Sequence, residues 1–161
     1  MSTRGVRAFY DLTTKIKDTL LTDENVNSVT LGDITDIDLN KQTIFPLSHI
    51  IVNNATYSTN IWTMNLSLFC MDLVDTQKKE EDKTKEDYFT GNNNEQDVLN
   101  TQLAVINLLL SQLSRGTIFS DNYQLVGNPT CEPFTDRFEN LLAGWVCTFD
   151  VQIKNDINIC S

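Results

Sequence analysis

The chain has 161 residues, of which 40% are hydrophobic and 21% are charged, so it has the size and composition of one folded domain and not of a disordered chain. Its formal net charge is -10, with 22 acidic against 12 basic residues. Tight nucleic-acid binding needs a clustered positive patch, and this balance argues against it. An acidic wall that repels phosphates beside DNA remains a hypothesis. No apolar run approaches membrane-spanning length and the first residues are followed by no apolar stretch of signal-peptide length, so we expect no membrane partner and a protein kept in a reducing cytoplasm.

The cysteines point to neither a metal site nor a redox motif. They are widely spaced, with no C-x-x-C pair of the kind that binds zinc or forms a thioredoxin-like site. Unpaired cysteine is among the most frequently buried residue types. We therefore expect buried free thiols at all four positions: Cys70, Cys131, Cys147 and Cys160.

No cofactor motif is complete. Asp36 and Asp38 imitate the start of an EF-hand loop, but Lys41 and Leu47 stand where that loop needs Gly and Glu. We expect Asp36 and Asp38, with Asp33, on a solvated strand face. The glycines form no phosphate-binding loop, and three of them are expected at element boundaries: Gly116, Gly127 and Gly144. We predict no cofactor and no metal.

His49 is the single histidine and lies within an apolar run. A lone histidine in such a strand is more often a hydrogen-bonded core or edge residue than a general base. No serine or cysteine triad can be assembled around it from the sequence. We therefore predict no catalytic residue and keep a small enzyme that uses His49 or an acidic cluster as an alternative.

Two helices are predicted from apolar residues that recur every three or four positions. The first covers Val6 to Leu21, with the stripe Val6, Phe9, Leu12, Ile16 and Leu20. The second begins after a capping Asn94 and ends at Arg115, with Gly116 expected in a left-handed cap. Its predicted apolar stripe is Leu99, Leu103, Ile106, Leu110 and Leu113.

Strands are predicted on both sides of the second helix. Residues 28–39 suit one or two short strands with a turn or bulge at Gly32-Asp33, and 47–52 suits a central strand that ends at Asn53-Asn54. A clearly alternating strand follows, with one face formed by Trp62, Met64, Leu66, Leu68 and Cys70. The strand at 47–52 and the alternating strand after it are predicted to form a hairpin or meander.

The strands after the second helix begin with residues 117–126, which we expect to be broken by Gly127-Asn128-Pro129 before a short extended piece at 131–138. The final strand alternates cleanly, with an apolar face of Trp145, Cys147, Phe149, Val151 and Ile153. No βαβ alternation appears. The prediction is one α+β domain over residues 1–161, with a mainly antiparallel sheet and both helices packed on one face.

Two segments have alternative interpretations. Residues 75–94 form a long charged loop, which is either a solvated excursion or an arm that pairs with a neighbouring subunit. The end of the chain alternates at Ile157 and Ile159, which either finish the last strand or add an edge to the sheet of another chain. The candidate interface residues are therefore Lys78, Lys79, Glu80, Glu81, Asp82, Lys83, Lys85, Glu86, Ile157 and Ile159.

As a whole, the pattern resembles phage tail-terminator or tail-completion proteins of the head-to-tail connector. The likeness rests on the opening helix, the strand Val29 to Ile34, the sequence Phe45 to Ile50 that leads into a strand, the second helix before Gly116, and the strand that starts at Gly144-Trp145-Val146-Cys147. It covers most of the chain but has no diagnostic signature. The Asn-rich composition suits a crAss-like or related AT-rich phage.

The resemblance implies a structural subunit of the virion neck or tail that is assembled in the host cytoplasm. Copies would close into a homo-oligomeric ring, in contact with neighbouring connector, portal or tail proteins. Genomic DNA would pass through the ring without specific binding. The charged segment at 75–94 is longer than compact family members need, and another tail or baseplate structural protein is the runner-up.

Overall fold

The computed structural model describes residues 7–36, 42–74, 84–85, 95–116, 123–137 and 142–155. This part of the chain forms two α-helices, two 3-10 turns at Ile34–Asp36 and Gln42–Ile44, and one five-stranded sheet. Its elements in chain order are α1 (Arg7–Leu21), β1 (Ser28–Leu31), β2 (Leu47–Ser58), β3 (Ile61–Leu73), α2 (Glu95–Arg115), β4 (Tyr123–Arg137) and β5 (Leu142–Lys154).

The sheet has the strand order β1-β2-β3-β5-β4. Strand β1 is parallel to β2, and the other three pairs are antiparallel. The predicted α+β class with a mainly antiparallel sheet is confirmed. The long strands β3 and β5 lie at the centre, so side chains that alternate along them face opposite sides of the sheet.

The larger core lies between the helices and one face of the sheet. Of the predicted stripe of α1, Leu12, Ile16 and Leu20 are buried and Phe9 is partly buried, while Val6 lies outside the described residues. Ala8, which the predicted stripe did not include, is also buried. The alternating faces predicted for β3 and β5 are also confirmed, because their apolar residues meet both helices in one cluster. The Trp145 indole donates a hydrogen bond to the Leu99 carbonyl oxygen at 2.8 Å, which fixes α2 across β5.

The sheet face opposite α1 and α2 is apolar at one end and polar along the remainder of its length. At the end where β2 begins, Leu47, Met71, Phe134 and Leu142 form a second cluster with Phe45. Ile34 and Ile44, from the 3-10 turns before β2, pack against this cluster. Towards the β2–β3 turn, the same face carries hydrogen-bonded amide, hydroxyl and carboxylate side chains.

Two predicted strand breaks are wrong. Strand β2 does not end at Asn53-Asn54, because these residues form a bulge against β3 and the strand continues to Ser58. Gly127, Asn128 and Pro129 likewise lie in a bulge inside β4, with Gly127 at a φ of 70°. In both places pairing with the neighbouring strand outweighs a local turn preference.

The predicted boundary at Gly144 is wrong, and Gly116 marks the predicted helix end without the predicted cap. Gly144 lies inside β5, and a Cβ atom at this position would come within 1.9 Å of the Cys70 carbonyl oxygen. Gly116 does follow the end of α2, but not in the left-handed conformation that we expected. Instead, its amide donates to the Gln112 carbonyl oxygen at 3.2 Å and continues the helical hydrogen-bond pattern.

Within residues 28–36, the described part of the 28–39 segment, there is one strand. The strand ends at Leu31, Gly32 takes a φ of 121°, and a 3-10 turn follows. Asp33 is exposed, but it lies in this turn and accepts a hydrogen bond from the Thr35 amide at 3.0 Å, so its predicted position on a strand face is wrong. The Asp36 side chain and Asp38 lie outside the described residues.

The buried stripe of α2 is rotated from the predicted one. Its buried residues are Val98, Gln102, Val105, Ile106, Leu109 and Leu113. Leu103, which we predicted to face the core, is 40% exposed. Gln102 is 1% exposed, and neither its side-chain oxygen nor its nitrogen has a hydrogen-bond partner. A polar side chain therefore occupies a core position of α2 that the predicted apolar stripe did not include.

We predict that Gln102→Met raises the free energy of unfolding by about 1 kcal/mol, because a buried amide without partners costs about 1–3 kcal/mol and methionine has a similar volume. Urea unfolding followed by circular dichroism measures the change. Gln96→Met is the matched control, since Gln96 is exposed on the same helix and should give almost no change. A clear loss of stability in Gln102→Met would show that the amide has a partner in the folded protein.

Candidate assembly surface

His49 is a fully buried residue of β2 with both ring nitrogens hydrogen-bonded. Nε2 lies 2.8 Å from the Gly32 carbonyl oxygen, which can only accept, so Nε2 carries a hydrogen. In the neutral ring Nδ1 therefore accepts from the Thr30 hydroxyl at 2.7 Å. The expectation of a hydrogen-bonded core histidine is confirmed. The ring fixes the turn after β1 and offers no free nitrogen to a substrate in this arrangement.

Burial is the main cause that lowers the pKa of His49, since a buried imidazolium loses its hydration. The Gly32 carbonyl oxygen and the Asp33 carboxylate favour the charged ring and oppose the shift. The pKa of Asp33 is itself lowered, mainly by the hydrogen bond from the Thr35 amide. His49 is thus held neutral at neutral pH.

Most of the predicted interface residues lie outside the described residues. These are Lys78, Lys79, Glu80, Glu81, Asp82, Lys83, Glu86, Ile157 and Ile159. Lys85 is described and exposed. The interface role of all ten residues therefore stays a prediction. The structure also contains a candidate surface that was not predicted from the sequence.

That surface is the outer edge of β2, which the turn between β2 and β3 defines. Thr59 and Asn60 form a two-residue turn, so Ser58 and Ile61 are a hydrogen-bonded pair of the antiparallel ladder. Hydrogen-bonded and non-hydrogen-bonded pairs alternate, which directs the main-chain groups of Ala55 and Tyr57 away from β3. We call the outer main-chain side of Ile51–Ser58 the open edge of β2.

The open edge begins where β1 ends. Strand β1 pairs only with Leu47–Ile50, and the Gly32 amide closes this pairing by donating to the Ile50 carbonyl oxygen at 3.0 Å. No strand within the described residues pairs with β2 beyond that point on this side. An exposed row of N–H and C=O groups is a template for an added strand.

The open edge has a bulge at Asn53-Asn54, but it lacks two other features that normally protect such a row. Edge strands are usually blocked by charged side chains or proline, but β1 and β2 contain no Asp, Glu, Lys, Arg or Pro. Large apolar side chains are exposed along the same side of the sheet: Tyr57 is 62% exposed and Leu31 is 54% exposed. Leu31 lines a shallow groove with Tyr10 of α1, which is 74% exposed.

The opposite edge of the sheet, formed by β4, is protected. Its Pro133 faces Trp145 of β5, and the main-chain groups of Trp145 point towards Cys70 of β3. The missing N–H of Pro133 therefore lies on the outer side of β4, where an added strand would need a donor. Bulges after Val126 and after Phe134 bend this edge further.

The polar part of the sheet face opposite α1 and α2 is hydrogen-bonded to itself. The Asn53 side-chain amide donates to Asn65 at 2.8 Å and to Ser67 at 2.7 Å. The Asn65 amide in turn donates to the Asp150 carboxylate at 2.8 Å, and Ser67 lies 3.3 Å from the Thr148 hydroxyl. This ladder fixes polar side chains across three strands and supplies no cation to bind a phosphate.

The described residues contain no group of three or more His, Cys, Asp or Glu side chains that could hold a metal ion. No helix among them has the length and apolar content needed to cross a membrane. No protein-family model matches the chain, and a search of curated proteins finds no match. The geometry of the sheet and its edges is therefore the basis for assigning a function.

We predict that the free energy of unfolding falls as the solution is acidified below about pH 6.5, partly because His49 must gain a proton on unfolding. A group with a lowered folded-state pKa contributes stability above its unfolded pKa. That contribution is lost towards the folded pKa, by up to about 1.4 kcal/mol per pH unit. Urea unfolding between about pH 5 and about pH 8 measures this dependence.

The His49→Gln variant isolates the contribution of the histidine from that of the carboxylates. The stability difference between the wild type and this variant should be constant above about pH 6.5 and should shrink below it. A difference that does not vary with pH would mean that His49 is not held neutral by the fold.

Proposed function

We propose that this protein is a ring-forming structural subunit of a phage head-to-tail connector, of the tail-terminator type. The observation that carries the proposal is the open edge of β2, which is uncharged, free of proline and unpaired within the described residues. Such an edge suits the addition of a strand from another polypeptide. Because the opposite edge is blocked at Pro133, β2 is the side of the sheet on which growth is favoured.

A cyclic ring needs heterologous contacts, in which a donor surface on one copy meets a different acceptor surface on the next. The open edge of β2 is the acceptor in this proposal. The donor is the segment after Asn155, in which Ile157 and Ile159 alternate with polar residues. The Asn155 amide donates to the Asn60 carbonyl oxygen at 2.9 Å, so this segment starts beside the β2–β3 turn, at the end of the sheet where the open edge finishes.

The charge of the chain fits a conduit that does not hold DNA. With a net charge of -10, the average surface of a ring repels phosphates. On the sheet face opposite α1 and α2, the hydrogen-bonded ladder contains one carboxylate, that of Asp150. Its other members are neutral: Asn53, Asn65, Ser67 and Thr148. A duplex could move past such a surface without the tight contacts that clustered lysine and arginine residues would make.

Light scattering on the purified full-length protein, combined with electron microscopy, tests the ring directly. We expect closed rings of uniform copy number and expect the protein at the neck or tail of virions. A protein that stays monomeric at high concentration and is absent from virions would overturn the proposal.

We predict that Ala55→Pro abolishes ring formation while leaving the monomer folded. Proline removes the outward-pointing N–H of residue 55 from the open edge. It removes no hydrogen bond to β3, because this N–H points away from β3. Light scattering should show a shift from rings to monomers, with a far-ultraviolet circular dichroism spectrum close to that of the wild type.

Ala55→Val is the matched control, because it keeps the N–H and favours a strand. This variant should still form rings. Rings that persist in Ala55→Pro would show that copies meet elsewhere. A double variant, Ile157→Asp with Ile159→Asp, tests the donor separately: if it forms rings while Ala55→Pro does not, the open edge accepts a different segment.

A further inference from the structure

Cys131 and Cys147 form a close thiol pair across two adjacent strands. They lie directly opposite each other in the register of β4 and β5, on the side of the sheet that faces the helices. Burial is the main cause that raises the pKa of the Cys147 thiol, and the neighbouring Cys131 thiol raises it further. Cys147 is fully buried, whereas Cys131 is partly exposed and reaches the surface at the outer strand. Both are free thiols.

The hydrogen-bond pattern of the sheet makes this pair suitable for a disulfide. Because Ser58 and Ile61 are a hydrogen-bonded pair, Leu68 of β3 directs its main-chain groups to β5, where it faces Cys147. The main-chain groups of Cys147 therefore point to β3, and Cys131–Cys147 is a non-hydrogen-bonded pair of β4 and β5. In such a pair the Cα atoms are about 4.5 Å apart, which lies within the range that a disulfide spans.

Cys70 is the nearest alternative partner, and the register places it less favourably. It pairs with Trp145 in β5 and so lies diagonally from Cys147, at a Cα separation of about 7–8 Å. That is longer than a disulfide bridges without backbone movement. Its thiol instead lies 3.6 Å from the Ser48 hydroxyl, and burial raises the pKa of Cys70 to about 12.

We propose that Cys131 and Cys147 are an oxidation site that a low-molecular-weight disulfide, such as oxidised glutathione, converts into a cross-strand disulfide. The partly exposed Cys131 attacks the small disulfide as its thiolate, forms a mixed disulfide and releases one reduced thiol. Cys147 then attacks the Cys131 sulfur, which closes the protein disulfide and releases the second reduced thiol. The protein loses two protons and two electrons, and the small disulfide gains them.

The product would join the outer strand β4 to the central strand β5. The pair stays a dithiol in a reducing compartment and becomes a disulfide in an oxidising one. This inference is independent of the ring proposal, because both cysteines belong to one chain and neither lies on β2. Reduction would restore the free thiols without any other change in the fold.

The test exposes the folded full-length protein to oxidised glutathione, then unfolds it, alkylates the remaining thiols and maps the peptides by mass spectrometry. The four alkylatable cysteines should fall to two, with Cys131 and Cys147 linked in one peptide pair. The melting temperature should rise on oxidation and return to its starting value with dithiothreitol. Cys70→Ser is the matched control and should oxidise in the same way.

Other outcomes would overturn the proposal. These are a disulfide to Cys70 or Cys160, a Cys131 that remains linked to glutathione, or four free thiols after prolonged exposure. The Cys147→Ala variant provides a further check, because it should stop at the mixed disulfide on Cys131. The wild-type peptide map decides the question even if that variant does not fold.

Discussion

The unbroken pairing of β3 with β5 is the constraint on which the other features depend. The register runs from Ile61 opposite Lys154 to Leu73 opposite Leu142 without a bulge. Side chains therefore alternate in phase along both strands, and one face of the pair is apolar from Trp62 to Cys70 in β3 and from Trp145 to Ile153 in β5. The two helices cover this face because its burial is the main source of stability available to the chain.

Since the central pair is regular, irregularity is confined to the outer strands. Strand β2 has its bulge near Val52, and β4 has bulges after Val126 and after Phe134. Each bulge bends an outer strand without shifting the central register, so the core is preserved. The two edges differ in their residues: β4 carries Pro133 and charged side chains, whereas β2 contains no proline and no charged residue.

Much of the fold can be predicted from the sequence, because α1, β3 and β5 each show one uninterrupted period. The errors occur where a local preference competes with a cross-strand pairing that the sequence does not reveal. Asn53-Asn54 and Gly127-Asn128-Pro129 favour turns in isolation, but each becomes a bulge once a long neighbour is in place. The stripe of α2 was misjudged for a related reason, since leucines lie on several sides of that helix and only packing selects the buried ones.

The candidate site was less predictable because an edge is a property of strand order. The parallel pairing of β1 with β2, and the position of β5 between β3 and β4, join residues distant in sequence. The same order makes Cys131 and Cys147 neighbours, although the sequence shows only separated cysteines. One signal was available: the segment from Leu47 to Ser58 contains no charged residue in a chain with 34 charged residues other than histidine, 22 acidic and 12 basic.

That missing charge has a physical consequence for assembly. Copies of a chain with a net charge of -10 repel one another, and this repulsion acts over about 8–10 Å at physiological salt. A contact through the open edge of β2 adds main-chain hydrogen bonds on a surface that has no charged side chain, so no carboxylate of the donor is buried beside another. The cost of desolvating charge is thereby avoided at the one edge of the described sheet that proline does not block. In the proposed ring, acidity would keep copies soluble and apart everywhere except along the edge where they join.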